Sequence, residues 1–386
     1  MSFRYPSGII KPGFDPSAEP EKINFVYDRL YSWGYNVSGQ LGLGDNVGRS
    51  SPVQVGGLTV WLESTSGYGH TLAIKSDGSL WAWGKNYNGQ LGLGNVTYYS
   101  SPVQVGALTT WSKIGSGPGG GSDFSLAIKS NGTLWSWGAN DSGQLGLGDS
   151  GSYYGRSSPV QVGALTTWAN IFCGSNFSLA IKSNGSLWAW GNNYHGQLGL
   201  GDYAGRSSPV QVGALTTWAN ISCGSNFSLA IKSNGSLWAW GNNGYGQLGL
   251  GNVTYYSSPV QVGALTTWLK VVGGGYYTLA IKTDGTLWTW GRNDNGQLGL
   301  GNVTYRSSPV QVGALTTWSK IGNGKAHSLA IKTNGTLWSW GKNEYGQLGL
   351  GDYGSYYGRS SPVQVGALTS WFIIAPGYNH SIVISY

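Results

Sequence analysis

The chain's 386 residues include 66 Gly, 20 Trp and 24 Tyr but only 10% charged residues, a composition far from that of a helical or mixed domain and suited to many short strands joined by tight turns. No stretch approaches the roughly 20 apolar residues that a membrane-crossing helix needs, which argues for a soluble protein with no membrane insertion. The net charge is +7, yet Lys and Arg form no dense run of the kind that grips a phosphate backbone, and we expect no nucleic-acid partner.

Residues 1–25 contain Pro6, Pro12, Pro16 and Pro20 and lack the apolar core of a secretory signal. We expect an extended arm that anchors the protein to other proteins of an assembly. Residues 26–386 are a repetition with a period of 50 to 54 residues, the size of a propeller blade. Each unit carries four segments in fixed order. Trp-x-Trp-Gly, with Tyr31 replacing the leading Trp in the first copy, ends at Gly34, Gly84, Gly138, Gly191, Gly241, Gly291 and Gly341. Gly-Gln-Leu-Gly-Leu-Gly follows, from Gly39 in the first copy to Gly346 in the last, and then Ser-Pro-Val-Gln-Val-Gly, first at Ser51 to Gly56. A single Trp closes the unit, at Trp61, Trp111, Trp168, Trp218, Trp268, Trp318 and Trp371.

Between these marks, Ser-Leu-Ala-Ile-Lys and Leu-Trp-Ala-Trp-Gly are short β-rich runs split by Asp-Gly or Asn-Gly, as at Asp77-Gly78 and Asn131-Gly132. The spacing predicts a hairpin with a type I′ turn. On the second strand Trp81 and Trp83 should face one side and Leu80 and Ala82 the other. A sheet apolar on both faces must cover both, and a radial array of sheets does so. The first unit lacks a Ser-Leu-Ala-Ile-Lys strand, and Ser381 to Ser385 supply a matching run from the far end of the chain. We therefore predict an all-β fold, a seven-bladed β-propeller of four-stranded antiparallel blades whose ring closes by pairing of N- and C-terminal strands, removing the edges of an open array.

Nothing in the repeats resembles a catalytic constellation. His70, His327 and His380 share one position that is Phe124, Phe177, Phe227 or Tyr277 in other copies, so packing or a local hydrogen bond is expected there, not a metal ligand. Cys173 and Cys223 are copies of one position and read as small buried side chains. The Gly-Leu-Gly stretches precede no helix whose N-terminal amides could hold phosphate. Asp45, Asp149, Asp202 and Asp352 are single loop positions, not an acid and base pair. No Ser occupies a Gly-x-Ser-x-Gly elbow. We expect no enzyme activity, no cofactor and no metal.

Gly-x-x-His-[Ser/Thr]-Leu-Ala-Ile, Trp-x-Trp-Gly-x-Asn, Gly-Gln-Leu-Gly-Leu-Gly and the Pro-Val-x-Val segment together resemble the regulator of chromosome condensation repeat, over about residues 26 to 386. The resemblance implies a seven-bladed propeller in which terminal strands complete one blade. It does not fix a function, because the family hosts nucleotide exchange on small GTPases, ubiquitin-ligase targeting, ultraviolet sensing and enzyme inhibition. The wedge and basic tail of the exchange factor are not visible here. Where the ultraviolet-B photoreceptor has Gly-Trp-Arg-His-Thr, this chain reads Gly-Ser-Asn-Phe-Ser at Gly174 to Ser178, which disfavours light sensing.

The segment between Gly-Leu-Gly and Ser-Pro varies in length and collects Tyr and Arg, types enriched at binding surfaces. The candidate partner-binding residues are Tyr98, Tyr99, Tyr153, Tyr154, Tyr203, Tyr255, Tyr256, Tyr305, Arg306, Tyr353, Tyr356 and Tyr357. Two of these loops, Asp149 to Ser157 and Asp352 to Ser360, are three residues longer than the rest. The first reading is a non-enzymatic structural component of a larger assembly, such as a phage or viral tail or surface protein, anchored by residues 1–25 and presenting its loops to a host-surface or protein ligand. That reading locates it in a virion or on an extracellular surface. The alternative is a soluble cytoplasmic protein-interaction or enzyme-inhibitor module, or a guanine nucleotide exchange factor.

Overall fold

A computed structural model describes residues 28–57, 60–117, 123–356 and 358–386. The expected anchoring arm, residues 1–25, lies outside them. The described strands form seven four-stranded antiparallel sheets, and no helix occurs among the described residues. In each blade an inner strand begins at the closing Trp, the Ser-Leu-Ala-Ile-Lys strand is second, the Trp-x-Trp-Gly strand is third and the Ser-Pro-Val-Gln strand is outermost. Blade 2 shows the pattern with Trp61–Ser66, His70–Lys75, Leu80–Gly84 and Tyr99–Gln104. Blades 3 to 7 follow from Trp111, Trp168, Trp218, Trp268 and Trp318. Contacts run from each blade to the next and from blade 7 back to blade 1, so the ring is closed.

Blade 1 is the seam. Its two outer strands, Arg29–Gly34 and Arg49–Gln54, come from the start of the described chain, and its two inner strands, Trp371–Ile374 and His380–Ser385, from the end. Arg29 pairs with Ser385 and Gly34 with His380, an unbroken register across the join. The C-terminal end thus supplies the inner strand as well as the predicted Ser381 to Ser385 strand.

The alternation of the third strand holds the blades apart and together. Leu80 and Ala82 pack with Trp111 and Trp137 of blade 3, whereas Trp83 packs with Ile382 and Ile384 of blade 1. Each joint also carries one polar clasp. The backbone carbonyl of the Gln in Gly-Gln-Leu-Gly-Leu-Gly accepts two bonds from the next blade, one from an indole N–H and one from a second-strand hydroxyl. Gln40 takes Trp83 Nε1 at 3.0 Å and Thr71 Oγ1 at 2.9 Å, and at the seam Gln347 takes Trp33 Nε1 and Ser381 Oγ, both at 2.9 Å. The same pair recurs at Gln90, Gln144, Gln197, Gln247 and Gln297. The following glycine makes room for that indole: a Cβ on Gly42, at φ +74°, would lie 2.7 Å from Trp83 Nε1. These glycines are blade-joint residues.

One local expectation fails. No non-Gly residue among the described ones has positive φ, so the Asp77-Gly78 hairpin is not type I′, which needs two such residues. Lys75 C=O accepts from Gly78 N–H at 2.9 Å, Lys75 N–H reaches Ser79 C=O at 3.0 Å, and Gly78 alone turns left-handed. Asp77 Oδ1 instead accepts the Ser79 N–H at 2.9 Å, which holds the three-residue loop shut.

Candidate partner-binding face

Antiparallel topology sends the inner-to-second and third-to-outer connections to one face of the disc, the loop face, and the hairpins and blade linkers to the other, the hairpin face. The described Tyr and Arg positions predicted from sequence lie on the loop face or its rim, but they divide into two kinds. Tyr99, Tyr256 and Arg306 open outer strands at the position held elsewhere by Arg49, Arg156, Arg206 and Arg359. There they close their own loop. Each of these four Arg pairs with Asp45, Asp149, Asp202 or Asp352 at 2.5 to 2.6 Å, and Tyr99 and Tyr256 take a bond from Asn95 and Asn252 at 3.2 and 3.0 Å. Both rings also pack against blade-joint clusters. In the Arg306 loop Asn302 stands at the Asp position, and Arg306, which donates to the Tyr305 carbonyl at 3.2 Å, forms none of the ion pairs found among the described residues.

The remaining candidates are exposed. Tyr153 and Tyr356, in the two lengthened loops, are 98% and 97% accessible, and Tyr98, Tyr154, Tyr203, Tyr255, Tyr305 and Tyr353 are also exposed. Tyr357 lies outside the described residues. Spread around the rim, these rings do not converge on one site. Three of them meet other aromatic groups: Tyr353 lines a cavity of about 360 Å³ with Tyr35, Tyr345 and Arg49, Tyr305 contacts Tyr245 at 5.6 Å, and Tyr255 contacts His195 at 5.5 Å.

Those groups form an aromatic arc that the sequence reading missed. Tyr35 lies 4.7 Å from Tyr345, Tyr68 lies 4.6 Å from Tyr378, and Tyr245 lies 5.3 Å from Tyr276. Burial raises the Tyr35 phenol above its ordinary pKa, with Tyr345 and Tyr68 adding to the shift, which ties the first two pairs together. Cations sit on these rings: Lys85 is 4.7 Å from the Tyr68 centroid, Lys325 is 4.4 Å from Tyr378, and Arg292 is 5.2 Å from Tyr245. Lys85, Arg292 and Lys342 also pair with Asp123, Asp294 and Glu344, so the arc is aromatic without a strong net charge. It runs through blades 5, 6, 7, 1 and 2. At matching positions blade 3 carries Ala139, Asp141 and Ser142, and blade 4 carries Ser175, Asn192 and His195, whose ring lies 5.5 Å from Tyr255 of blade 5, so the aromatic series breaks at blade 3. A signal existed in the sequence: these are the places at which nearly identical copies differ, beside Trp-Gly-x-Asn and before the second strand.

Elsewhere the polar groups are structural. His70, His327 and His380 are fully buried, and their Nε2 atoms meet Ser125, Ser381 and Thr71 of the neighbouring blade at 3.1, 3.0 and 3.4 Å. Burial, first of all, lowers each imidazole to about 3, so all three are neutral. Cys173 and Cys223 are free and buried. The repeated lysine lies between two indoles, as Lys182 does at 3.4 Å from Trp188 and 4.9 Å from Trp168. No group of three or more metal-ligating side chains occurs among the described residues.

Comparison with known proteins agrees with this architecture. Over 177 residues the chain is 32% identical to the ultraviolet-B receptor UVR8 of Arabidopsis thaliana, covering 45% of this chain and 39% of that one. It is 40% identical over 80 residues to the mitochondrial RCC1 domain-containing protein RUG3 of the same plant, covering 20% of this chain and 18% of that one. The chain thus spans less than two fifths of the length of either relative. The crystal structure of human WBSCR16 superposes with a TM-score of 0.82 at 23% identity, over 93% of this chain and 98% of that one, which shows a shared fold. The sequence similarity to two plant-cell proteins, one of them mitochondrial, overturns the expectation of a virion or extracellular surface assembly. The regulator of chromosome condensation (RCC1) repeat matches residues 27–74, 77–128 and 119–144, the RCC1-like domain matches residues 156–383, more than half of the chain, and the protein belongs to the RCC1-like domain family.

Proposed function

We propose that this propeller is a non-enzymatic protein-binding module that works inside the cell and captures a partner protein on its loop face. The observation that carries the reading is the one-sided aromatic arc. Blade joints in this chain repeat almost atom for atom, yet the paired tyrosines stand on blades 5, 6, 7, 1 and 2, with His195 in place of Tyr on blade 4 and Ser142 on blade 3, and packing of the ring gives no reason for that asymmetry. Tyr rings offer large, stiff contact area with a polar tip, and with the flanking Lys85, Arg292 and Lys342 already paired to acids the arc suits a partner surface rich in apolar and neutral polar side chains. The exposed rim residues Tyr153, Tyr154, Tyr353 and Tyr356 would extend that contact.

Affinity capture from cells of the source organism tests the proposal. A variant carrying Tyr35→Ser, Tyr68→Ser, Tyr345→Ser and Tyr378→Ser should lose its captured partner by about tenfold or more, as expected when several aromatic anchors are removed. The Tyr153→Ser, Tyr356→Ser variant should lose much less. Equal capture by the four-site variant and the parent, both folded by circular dichroism, would refute the reading.

A further inference from the structure

One place in the arc is open where its counterparts are closed. The residue before Gly-Gln-Leu-Gly-Leu-Gly in one blade and the residue that precedes the outer strand of the next are neighbours across a joint. At two joints both carry rings that touch: Tyr245 of blade 5 lies 5.6 Å from Tyr305 of blade 6, and His195 of blade 4 lies 5.5 Å from Tyr255 of blade 5. At three joints neither has a ring, the pairs being Asn88 and Gly155, Ser142 and Gly205, and Asn295 and Gly358. Blades 1 and 2 bring Ser38 and Tyr98 to these positions. Only the seam joint, between blades 7 and 1, combines a ring, Tyr345, with a glycine, Gly48. The space left there is the cavity of about 360 Å³, which Gly48 borders and which Tyr35, Tyr345 and Tyr353 wall together with Val37 and Val47.

We propose that this seam pocket receives an uncharged aromatic side chain, a phenol or phenyl ring, presented by the partner protein. The chain itself indicates the occupant, because Tyr305 and Tyr255 place such a ring against the equivalent residue at two other joints. Tyr35 and Tyr345, with centroids 4.7 Å apart and planes tilted by 58°, offer a face and an edge to a third ring at ordinary aromatic spacing. Charge complementarity points the same way. Arg49 is paired with Asp45 at 2.6 Å and Glu344 with Lys342, so an entering ammonium or carboxylate would give up its hydration without meeting a free counter-charge.

Backbone geometry does not account for the opening. Gly48 is not among the glycines with positive φ, and Tyr98, Tyr255 and Tyr305 hold the same position in other blades. A Cβ on Gly48 would lie 3.1 Å from the Gly34 carbonyl oxygen, close to the 3.2 Å found at Gly155, Gly205 and Gly358, so a side chain there asks for no more than a small adjustment. The pocket belongs to the aromatic arc, and its part in capturing a partner therefore rests on the loop-face reading, whereas its affinity for a ring does not.

The methyl groups of Val37 and Val47 report occupancy in NMR titrations of the methyl-labelled full chain. p-Cresol, the tyrosine side-chain analogue, should shift them saturably with a dissociation constant on the order of millimolar, as befits so small a ligand, and n-butylammonium and propionate should bind at least about threefold more weakly. Gly48→Tyr fills the pocket from within and should weaken p-cresol binding at least about tenfold, whereas Gly155→Tyr, the same change opposite Asn88, should leave it unaltered. If Gly48→Tyr does not fold, Tyr353→Ala replaces it, with a loss of about threefold or more expected. No saturable shift in the parent, n-butylammonium binding as tightly as p-cresol, or equal affinity in the parent and the folded variant overturns the proposal. In affinity capture, Gly48→Tyr should also lose the partner by about fivefold or more, although it removes no ring. Loss of the partner by the four-site Ser variant together with full capture by folded Gly48→Tyr would leave the arc reading standing and sink the pocket.

Discussion

Acid should loosen this propeller through three particular histidines. In each, the network fixes the tautomer: the partner hydroxyls, Ser125, Ser381 and Thr71, already donate to the carbonyls of Gln90, Gln347 and Gln40 at 2.9 Å, so they accept from the imidazole Nε2–H. Nδ1 of His70, His327 and His380 is then the acceptor, buried and without a partner. Protonation there would place a positive charge and an unbonded N–H in the blade joint, which is why the folded-state pKa falls to about 3 from an ordinary 6.5. Below pH 6.5 the unfolded chain takes up protons that the folded chain refuses. The stabilising difference is complete above that pH and shrinks as pH falls toward 3.

At pH 5 the deficit is about 1.5 pH units, or on the order of 2 kcal/mol per histidine and about 6 kcal/mol for all three. The control is written in the chain, since Phe124, Phe177 and Phe227 occupy the same position in blades 3, 4 and 5. Gly174 and Gly224 lie against two of those Phe rings as Gly324 and Gly377 lie against His327 and His380. Urea unfolding at pH 7.5 and 5.0 should therefore show a parent that loses several kcal/mol more on acidification than a His70→Phe, His327→Phe, His380→Phe variant. Burial raises the channel Glu63 to about 7, so it acts in the opposite direction, but it is common to both proteins and drops out of the difference. An identical pH response in parent and variant would refute the neutral, buried assignment.

Other consequences can be read in the same way. Gly349→Ala would put a Cβ 2.7 Å from Trp33 Nε1 at a φ of +72°, and should cost about 1 to 3 kcal/mol in thermal or urea melts because it strains the seam clasp. Asn302→Asp should give Arg306 the pairing that its counterparts have, raising stability by at most about 1 kcal/mol, a gain that 1 M salt should remove. A circular permutant that joins Tyr386 to Asp28 through a short linker and opens at Asp77-Gly78 should keep its circular dichroism spectrum, since Arg29 already pairs with Ser385 and the new ends fall in an exposed hairpin. Loss of folding in that permutant would show that the order of strands, not only their closure, holds the ring.

Blade number, strand order and the seam were legible because they follow from repeated patterns that have one packing solution. Alternating Trp and Leu or Ala on the third strand demands a neighbour on each side, and Ser381 to Ser385 could pair only where the first unit was incomplete. The turn type was misjudged because Asp-Gly is compatible with both a two-residue and a three-residue loop, and Asp77 chooses the latter by bonding the Ser79 amide. Tyr99 and Tyr256 looked like contact residues by type. Their role emerges only beside Asn95 and Asn252, which replace the Asp of the Arg-bearing loops.

That exchange of partners shows how residue type alone misleads in a repeat protein. Arg49 with Asp45 and Tyr99 with Asn95 are two solutions to one problem, closing the third-to-outer loop, so the tyrosines that belong to it say nothing about a ligand. What does bear on a ligand is a difference with no structural partner in the other copies. Tyr35, Tyr68, Tyr345 and Tyr378 meet that condition on the loop face. In a chain whose blades otherwise share their joints bond for bond, divergence that packing does not require is where a contact from outside is to be sought, and the four Ser substitutions on the loop face test it there.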